Sequence, residues 1–516
     1  MEQSIARPET PDRIVRMIAF AQRQPARALA WLLGLHLVVW TLIPILTYRN
    51  LQLDLAEGLA LGPEWQLGYW KHPPLPWLIE ALAYRIAGDV RIVYLLGPLA
   101  CVIALYALWR LALQVTTAQN ALIAVLALEG LHFFNFTAVK FNHDVLQLPF
   151  WTLTGWFVYR AITGQRPADW LLSGLWLAGA FWTKYSVLVL AVPIGCVLLF
   201  DPYARPAWRT SGPYLMAAAF LLVIAPQLWW LIDSDFLPLH YADVRAETAA
   251  VWYQWIVFPL RWIASQIFFL LPTLGLLALA LAGTRRNEPV AATAPADFAR
   301  RYVAVLGLGP FILVTLGAAL TGRLVVAIWG YPFWTFTPLA LLVWRAPAIG
   351  AAQLRAFTRA CLFVLVGMPA AYVAVETLEP LLRDRPKATQ FPGQILAATI
   401  TRQWRDATGT PLAYVGGAEL GASGAGEFAA NTVAVYSPDR PHVIAHGDLA
   451  LSPWIDRADL DRRGIVLLWE GVDALPENLK AAFPRAALQP PLVLPRQTLA
   501  GRKPATVSYA FVRPRP

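Results

Sequence analysis

Residues 73–88 read PPLPWLIEALAYRIAG, and the sidedness of the whole chain turns on whether this stretch crosses a membrane. A hydrocarbon core about 30 Å thick needs roughly 20 apolar residues in a helix. The stretch is too short for that, opens on two prolines, and carries Glu80 and Arg85. It is expected to be a helix lying in the interface. Around it, apolar runs near residues 28–46, 92–110, 120–138, 145–163, 169–183, 186–200, 213–232, 264–282, 302–320, 327–344 and 357–376 predict about eleven transmembrane helices. The fifth and sixth are short enough to be tilted or partly re-entrant.

With 73–88 outside the bilayer, the basic residues sort cleanly. One side receives Arg7, Arg13, Arg16, Arg23, Arg27, Arg110, Arg160, Arg166, Arg205, Arg209, Arg285, Arg286, Arg300, Arg301, Arg345, Arg355 and Arg359, seventeen in all. The other receives nine: Arg49, Lys71, Arg85, Arg91, Lys140, Lys184, Arg245, Arg261 and Arg323. The Arg-rich side is the cytoplasmic one. This puts the N-terminal segment (residues 1–27) inside and residues 377–516 outside. Counting 73–88 as a span would push twelve of the seventeen to the outer face.

Composition agrees. The 516 residues are 58% hydrophobic and 14% charged, against about 25% charged in an ordinary soluble domain. Disorder is excluded for the bulk of the chain, and so is a water-soluble enzyme of this length. The 23 Trp fit membrane–water interfaces. The net charge of +10 is accounted for by cytoplasmic Arg, with no need of nucleic acid. Cys101, Cys196 and Cys361 all lie in apolar runs and are expected to be small core residues without a disulfide. The first apolar run follows about 27 polar residues without a small-residue cleavage pattern, so no cleavable signal peptide is expected.

Composition shifts near residue 380. Short β-like runs, PLAYVGG (411–417), NTVAVYS (431–437), HVIAHG (442–447), GIVLLWEG (464–471) and TVSYAFV (506–512), alternate with Gly- and Pro-rich turns after one helical pattern. They predict a small extracytoplasmic α/β domain. GAELGASGAGEF (417–428) fits no phosphate-binding spacing and is expected to be a loop.

Loop one, residues 47–91, is too long and polar for a connector and is expected to form interfacial helices. Asp54 and Glu57 are spaced i, i+3, so a helix puts both carboxylates on one face. Lys71 and His72 precede Pro73 and Pro74, a rigid turn that delays any helix. Further along, Asp144 opens the fourth span in FNHD, Lys184 and Tyr185 join two short spans, His240 follows the seventh, and Arg323 sits in a tight outer turn. Each has an ordinary role to set against a chemical one. The acids suit a solvated helix face or an N-cap. Lys71, His72 and Arg323 suit headgroup contact, and His240 suits a surface loop. Lys184, close to hydrocarbon, needs an anion or water. Jointly the ordinary roles weaken, because acids and cations from five loops share one face. Such a cavity suits a lipid-phosphate donor. Cations hold the phosphate and stabilise the charge it gains on leaving, and a carboxylate takes a proton from the acceptor.

An acidic loop-one motif, then Y-W-K-H-P-P-L (69–75), F-N-H-D (141–144) and K-Y (184–185), resembles the polyprenol-phosphate-sugar glycosyltransferases of the GT-C fold. The groups meant are the bacterial relatives of protein O-mannosyltransferases and the lipid A aminoarabinose transferases. The resemblance implies a mainly α, polytopic bundle over residues 28–376 and an inverting transfer by single displacement. It implies Asp54 as base, Asp144 as its support, and Lys71 or His72, Lys184 with Tyr185, His240 and Arg323 near donor phosphate. The chain departs from the family in two places. Leu55 follows Asp54 where many relatives have a second acid, which leaves the base open between Asp54 and Glu57. Lys71 stands where some relatives carry an acid, so neither a metal site nor another cofactor is expected, although a divalent ion is not excluded. The implied partners are a polyprenyl-phosphate-linked sugar, membrane lipid, and an acceptor that is lipid A or its core, another lipid, a glycan or a protein. The implied location is the inner membrane of a bacterium, with the site on the periplasmic face. The alternative is a transporter or flippase of a polyprenyl-linked or amphipathic solute. Such proteins usually show inverted repeats or broken midplane helices, and neither is evident in the sequence.

Overall fold

The structure, a computed structural model, describes residues 12–286, 294–383, 387–418, 425–470, 474–496 and 504–515. It opens with an amphipathic helix α1 (Arg13–Arg23), followed by α2 (Pro25–Thr47). Loop one contains α3 (Leu53–Leu61) and α4 (Leu75–Ala87). The bundle continues through α5 (Val93–Val115), α6 (Ala118–Leu128), α7 (His143–Gly164), α8 (Pro167–Thr183), α9 (Leu188–Phe200), α10 (Gly212–Asp233), a short α11 (Leu237–Arg245), α12 (Gln254–Leu281), α13 (Ala296–Thr321), α14 (Thr337–Arg345) and α15 (Ala351–Thr377). Every one of the eleven expected spans falls on one of these helices. Among the described residues six helices, α2, α5, α10, α12, α13 and α15, are long and apolar enough to cross a membrane by themselves.

Two spans expected as continuous helices are broken, and this is a correction. The run 120–138 stops being α-helical after Leu128, with only a 3-10 turn at His132–Phe134, and the run 327–344 becomes an α-helix only from Thr337. Irregular backbone at such depth is tolerated only where protein satisfies its polar groups. Here it is satisfied from within. The Asn135 amide donates to the Glu129 carbonyl at 2.7 Å, and Thr137 and Tyr331 join their hydroxyls at 2.7 Å. Gln266 donates to the Ala327 carbonyl at 2.8 Å and accepts from the Trp334 indole at 2.9 Å. Gly97 of α5 lets the 129–142 segment lie close, since a Cβ there would be 1.9 Å from the Ala138 carbonyl oxygen.

Residues 75–87 are helical as expected, but Glu80 is not an interfacial group. It is fully buried against α3, beside Gly58. At the next turn contact, a Cβ on Gly62 would be 2.2 Å from the Trp77 backbone carbonyl oxygen. A backbone atom cannot swing away, so overpacking there costs about 1–3 kcal/mol. Gly62→Ala is therefore expected to lower the thermal midpoint in detergent and to weaken transfer by prising α3 from α4. An unchanged melt would remove this contact from the account.

After a short α16 (Glu379–Arg383), the tail forms α17 (Gly393–Thr408) and a six-stranded sheet. Its strands are β1 (Tyr414–Gly417), β2 (His442–Ile444), β3 (Ile465–Glu470), β4 (Ala487–Leu488), β5 (Leu492–Leu494) and β6 (Ala505–Val512). β1 lies between β2 and β3, parallel to both, and β6 runs antiparallel to β3, β4 and β5. The expected strand at 431–437 is instead the end of helix α18 (Ala425–Tyr436). Parallel neighbours β1 and β2 need a crossover, and a helix supplies it. Asn431, Thr432, Val433, Ala434 and Val435 are all buried between the sheet, α17 and α3. A helix enclosed on every side shows no 3.6-residue pattern, and a short run of such residues reads as a strand. Of the Gly-rich stretch 417–428, residues 419–424 lie outside the described residues, and 425–428 are helical rather than loop. Cys101 and Cys361 are buried free thiols, whereas Cys196 is exposed on the outer face of α9 and is not a core residue.

Candidate functional site

A cavity of about 570 Å³ opens between loop one, the starts of α7 and α9, α11 and the segment before α14. Its acids and cations arrive on separate elements. α3 forms as its i, i+3 acid spacing anticipates, with Asp54 in the first turn and Glu57 one turn on, and both line the cavity. The chain then closes a tight turn in which the amides of Tyr69 and His72 each donate to the other's carbonyl, at 3.0 and 3.2 Å. Pro73 and Pro74 hold that turn rigid, so Lys71 and His72 project from a fixed base.

Asn142 ties loop one to the next outer loop. Its side-chain oxygen caps α7, accepting from the Asp144 and Val145 amides at 3.0 and 3.1 Å. Its side-chain NH₂ donates to the Asp54 carboxylate at 2.8 Å. Asn142, and not Asp144, is therefore the N-cap. Asp144, freed of that task, pairs with Lys184 at 2.6 Å. Lys184 ends α8 in an extended conformation and also lies over the Trp329 ring, 5.7 Å from its centroid. Glu57 pairs with Lys71 at 2.5 Å, and the ammonium stands between the Trp70 and Trp77 rings, 5.3 and 5.8 Å from their centroids. The Tyr185 hydroxyl accepts from Gln227 at 3.3 Å.

Electrostatics separate the two acids on α3. Burial works against the Asp54 carboxylate, yet Lys140, 3.9 Å away, the Asn142 hydrogen bond, Lys71 and His143 outweigh it and hold the carboxyl below its ordinary range. Burial pushes the Glu57 carboxyl up, to about 7, despite Lys71, and Glu427 and Asp54 push the same way. The Lys71 ammonium is held above its ordinary range by Glu57, against burial. Burial, then His143, Lys71, Lys184 and Arg245, drive the His72 imidazole well below its usual value. The Lys71–His72 pair is therefore one cation and one neutral imidazole at neutral pH. The His72 ring lies against that of His143, with centroids 4.1 Å apart. Behind the acids, burial with Asp54 and Glu57 nearby pushes Glu80 well up, so it is a neutral carboxylic acid.

Asp54, Glu57, Lys71, His72, Asp144, Lys184 and Tyr185 are thus gathered on one cavity, and two of the residues singled out in the sequence are not. His240 is exposed on α11, whose cavity-lining residues are Pro238, Leu239, Tyr241, Ala242 and Arg245. Arg323 pairs with Asp243 at 2.6 Å and donates to the Asp243 and Ala246 carbonyls at 3.0 Å each, pinning the end of α11 rather than facing the cavity. Lys140, Asn142 and Arg245 line the cavity and were not anticipated as site residues. For Asn142 the signal was present, since Asn three residues ahead of an apolar run is a strong N-cap. Lys140 and Arg245 carry no such local mark. Among the described residues, no group of three or more His, Cys, Asp or Glu side chains is gathered in a way that could hold a metal ion.

Comparison with known proteins gives this geometry a context. Residues 71–230 match the family model of dolichyl-phosphate-mannose-protein mannosyltransferases. The lipid A galacturonosyltransferase RgtD of Rhizobium johnstonii is 33% identical over 178 residues, 33% of this chain and 36% of that protein. The lipopolysaccharide core galacturonosyltransferase RgtB of the same organism is 24% identical over 362 residues, 67% of this chain and 72% of that protein. The match to RgtD thus spans about a third of that protein's length. ArnT from Cupriavidus metallidurans, crystallised with undecaprenyl phosphate, superposes with a TM-score of 0.53 at 15% identity, over 93% of this chain and 98% of its own. Its apo form gives 0.52 at 14% identity, over 96% and 97% of the two chains. The chain is a polytopic membrane protein with the GT-C fold of ArnT, and it resembles the protein mannosyltransferase and galacturonosyltransferase families of that type.

Proposed function

We propose that the protein is a membrane glycosyltransferase that moves a sugar from a polyprenyl-phosphate carrier to lipid A or its core. The observation that carries this reading is the single cavity in which Asp54, whose nearest ion pair among the described residues is Lys140 at 3.9 Å, is gathered with the paired cations Lys71 and Lys184. Asp54 is the base. It is ionised at neutral pH and aimed by Asn142, whereas Glu57 is engaged with Lys71. The acceptor hydroxyl oxygen bonds to the anomeric carbon as its proton passes to Asp54. The bond from that carbon to the carrier phosphate breaks, and its electron pair leaves with the phosphate, which gains one negative charge. Lys71, Lys184 and the neutral His72 donate to that phosphate. Asp144 holds Lys184 in place. Single displacement inverts the anomeric configuration. Lys140 and Arg245 also line the cavity and add to its positive charge, and the activities of the related RgtB and RgtD favour a hexuronic acid as the sugar. Lysine and arginine distribution sets the N-terminus in the cytoplasm and the cavity and tail in the periplasm of the inner membrane.

The test uses purified protein in vesicles with a polyprenyl-phosphate-linked galacturonic acid and lipid A. Free polyprenyl phosphate and a lipid A heavier by one hexuronic acid are expected. Movement of the intact donor across the bilayer without release of polyprenyl phosphate would replace the transferase reading with a transporter.

A further inference from the structure

The tail domain sits directly on loop one. α18 packs against α3, the helix that carries Asp54 and Glu57. His442 pairs with Glu64 at 2.9 Å, Arg440 bonds to the Tyr84 hydroxyl, and the Trp454 ring meets the edge of Tyr69 at 5.9 Å. Among these contacts one group is unlike a docking clasp. His446 is buried and holds a left-handed backbone conformation, φ +53°, which a non-glycine residue adopts only at a conformational cost. The strain is held in place from several sides. The His446 amide donates to the Glu427 carboxylate at 3.3 Å, its imidazole lies 3.4 Å from the same carboxylate, and the Asn478 amide donates to its carbonyl at 3.3 Å. Its ring abuts the Trp70 ring, centroids 4.4 Å apart at 79°. Trp70 in turn meets Tyr241 on the cavity wall and flanks the Lys71 ammonium.

We propose that Glu427 and His446 are positioning residues supplied by the tail domain. His446 fixes Trp70 and so the Lys71 ammonium, while the Glu427 charge acts on Glu57 from behind α3. The tail is then a working part of the donor-phosphate site and more than a cap over it. Neither residue lines the cavity, so neither touches substrate. The groups that face Glu57 are Lys71 from loop one, Asp54 on its own helix, Glu427 on α18 and Glu80 on α4. Of these, Glu427 is the acid brought by the tail, and its charge favours a protonated Glu57. A protonated Glu57 leaves Lys71 its full charge for phosphate.

This inference rests on the transferase reading, and the experiment keeps the two apart. The full chain and the variants Glu427→Gln, His446→Asn and His446→Ala are assayed for kcat and for donor KM between pH 6 and 9. Failure of the unaltered protein to transfer sugar would overturn the transferase reading first, and this one with it. With transfer present, Glu427→Gln, nearly isosteric and still able to accept from the His446 amide, is expected to move the rise of donor KM to lower pH, raising KM several-fold at pH 7.5 with kcat within about twofold. Asn tolerates a left-handed backbone but brings no ring to Trp70, so His446→Asn should keep the fold while raising donor KM. His446→Ala should raise donor KM by about tenfold. A Glu427→Gln profile that keeps the unaltered midpoint overturns the proposal, whether or not overall activity falls, because a purely structural role lowers activity without moving the midpoint. A His446→Ala protein that melts normally and binds donor normally removes His446 from it.

Discussion

Asp54→Asn is expected to lower kcat by on the order of 10²–10⁴-fold, the usual worth of a positioned general base, while donor KM changes by less than about threefold. The substitution is nearly isosteric and leaves Asn142 a hydrogen-bonding partner, so the fold of α3 is not at issue. What it removes is a cavity carboxylate held below its ordinary range, with burial opposed by Lys140, Asn142, Lys71 and His143. Glu57 cannot substitute in place, because its carboxylate is engaged by the Lys71 ammonium at 2.5 Å. Asn142→Ala provides the graded companion. Losing that hydrogen bond uncaps α7 and frees Asp54 to rotate, and a loss of about tenfold, carried in kcat, is expected. Steady-state rates with donor and acceptor both saturating decide the matter. Undiminished turnover by Asp54→Asn would move the base to Glu57 or remove side-chain base catalysis altogether.

The membrane architecture was legible because hydropathy is a long-range average. Twenty apolar residues in a row leave few alternatives. The acid pair on α3 and the rigid Lys71–His72 turn were legible because both depend on local spacing, i, i+3 in one case and a Pro-Pro pair in the other. The parts that were not legible depend on tertiary contact. Residues 129–138 carry enough apolar character to read as helix, and the turn bonds of the backbone with the side chains of Asn135 and Thr137 make an irregular path tolerable there, as Gln266 does at Ala327. The helix at 431–436 loses its periodicity because it is buried on all sides. His72 stands beside Lys71 in the sequence, but burial, then His143 and Lys71, make it neutral. Glu80 looked like a wet interfacial charge, and its neutrality follows from a glycine opposite it on another helix, which no window of sequence contains. Arg323 and His240 show the converse, since motif order brought them near the site and packing turned them elsewhere.

The same contrast between Asp54 and Glu57 sets a pH dependence with a definite sign. Donor phosphate that reaches Lys71 comes to lie beside the Glu57 carboxylate, 2.5 Å from that ammonium. Like charges disfavour each other's ionised forms, so bound phosphate raises the Glu57 pKa above its value of about 7 in the free protein. A group whose pKa rises on binding takes up a proton in the complex. Its contribution to affinity is therefore complete below the free value and is lost as pH climbs through it. Donor KM should be flat below about pH 6.5 and rise by up to tenfold per unit above pH 7, since one pKa unit corresponds to about 1.36 kcal/mol. kcat should stay level over the same window, because Asp54, held below its ordinary range, is ionised throughout. Glu57→Gln imitates the protonated form. It should bind donor at pH 8 about as tightly as the unaltered protein does at pH 6, and its KM should no longer depend on pH between 6 and 9. If KM in that variant still climbed above pH 7, the proton taken up with the donor would belong elsewhere, with His72 the group left to examine. A kcat that fell along with KM would place the titrating group on the reaction coordinate, and Glu57 rather than Asp54 would then be the base.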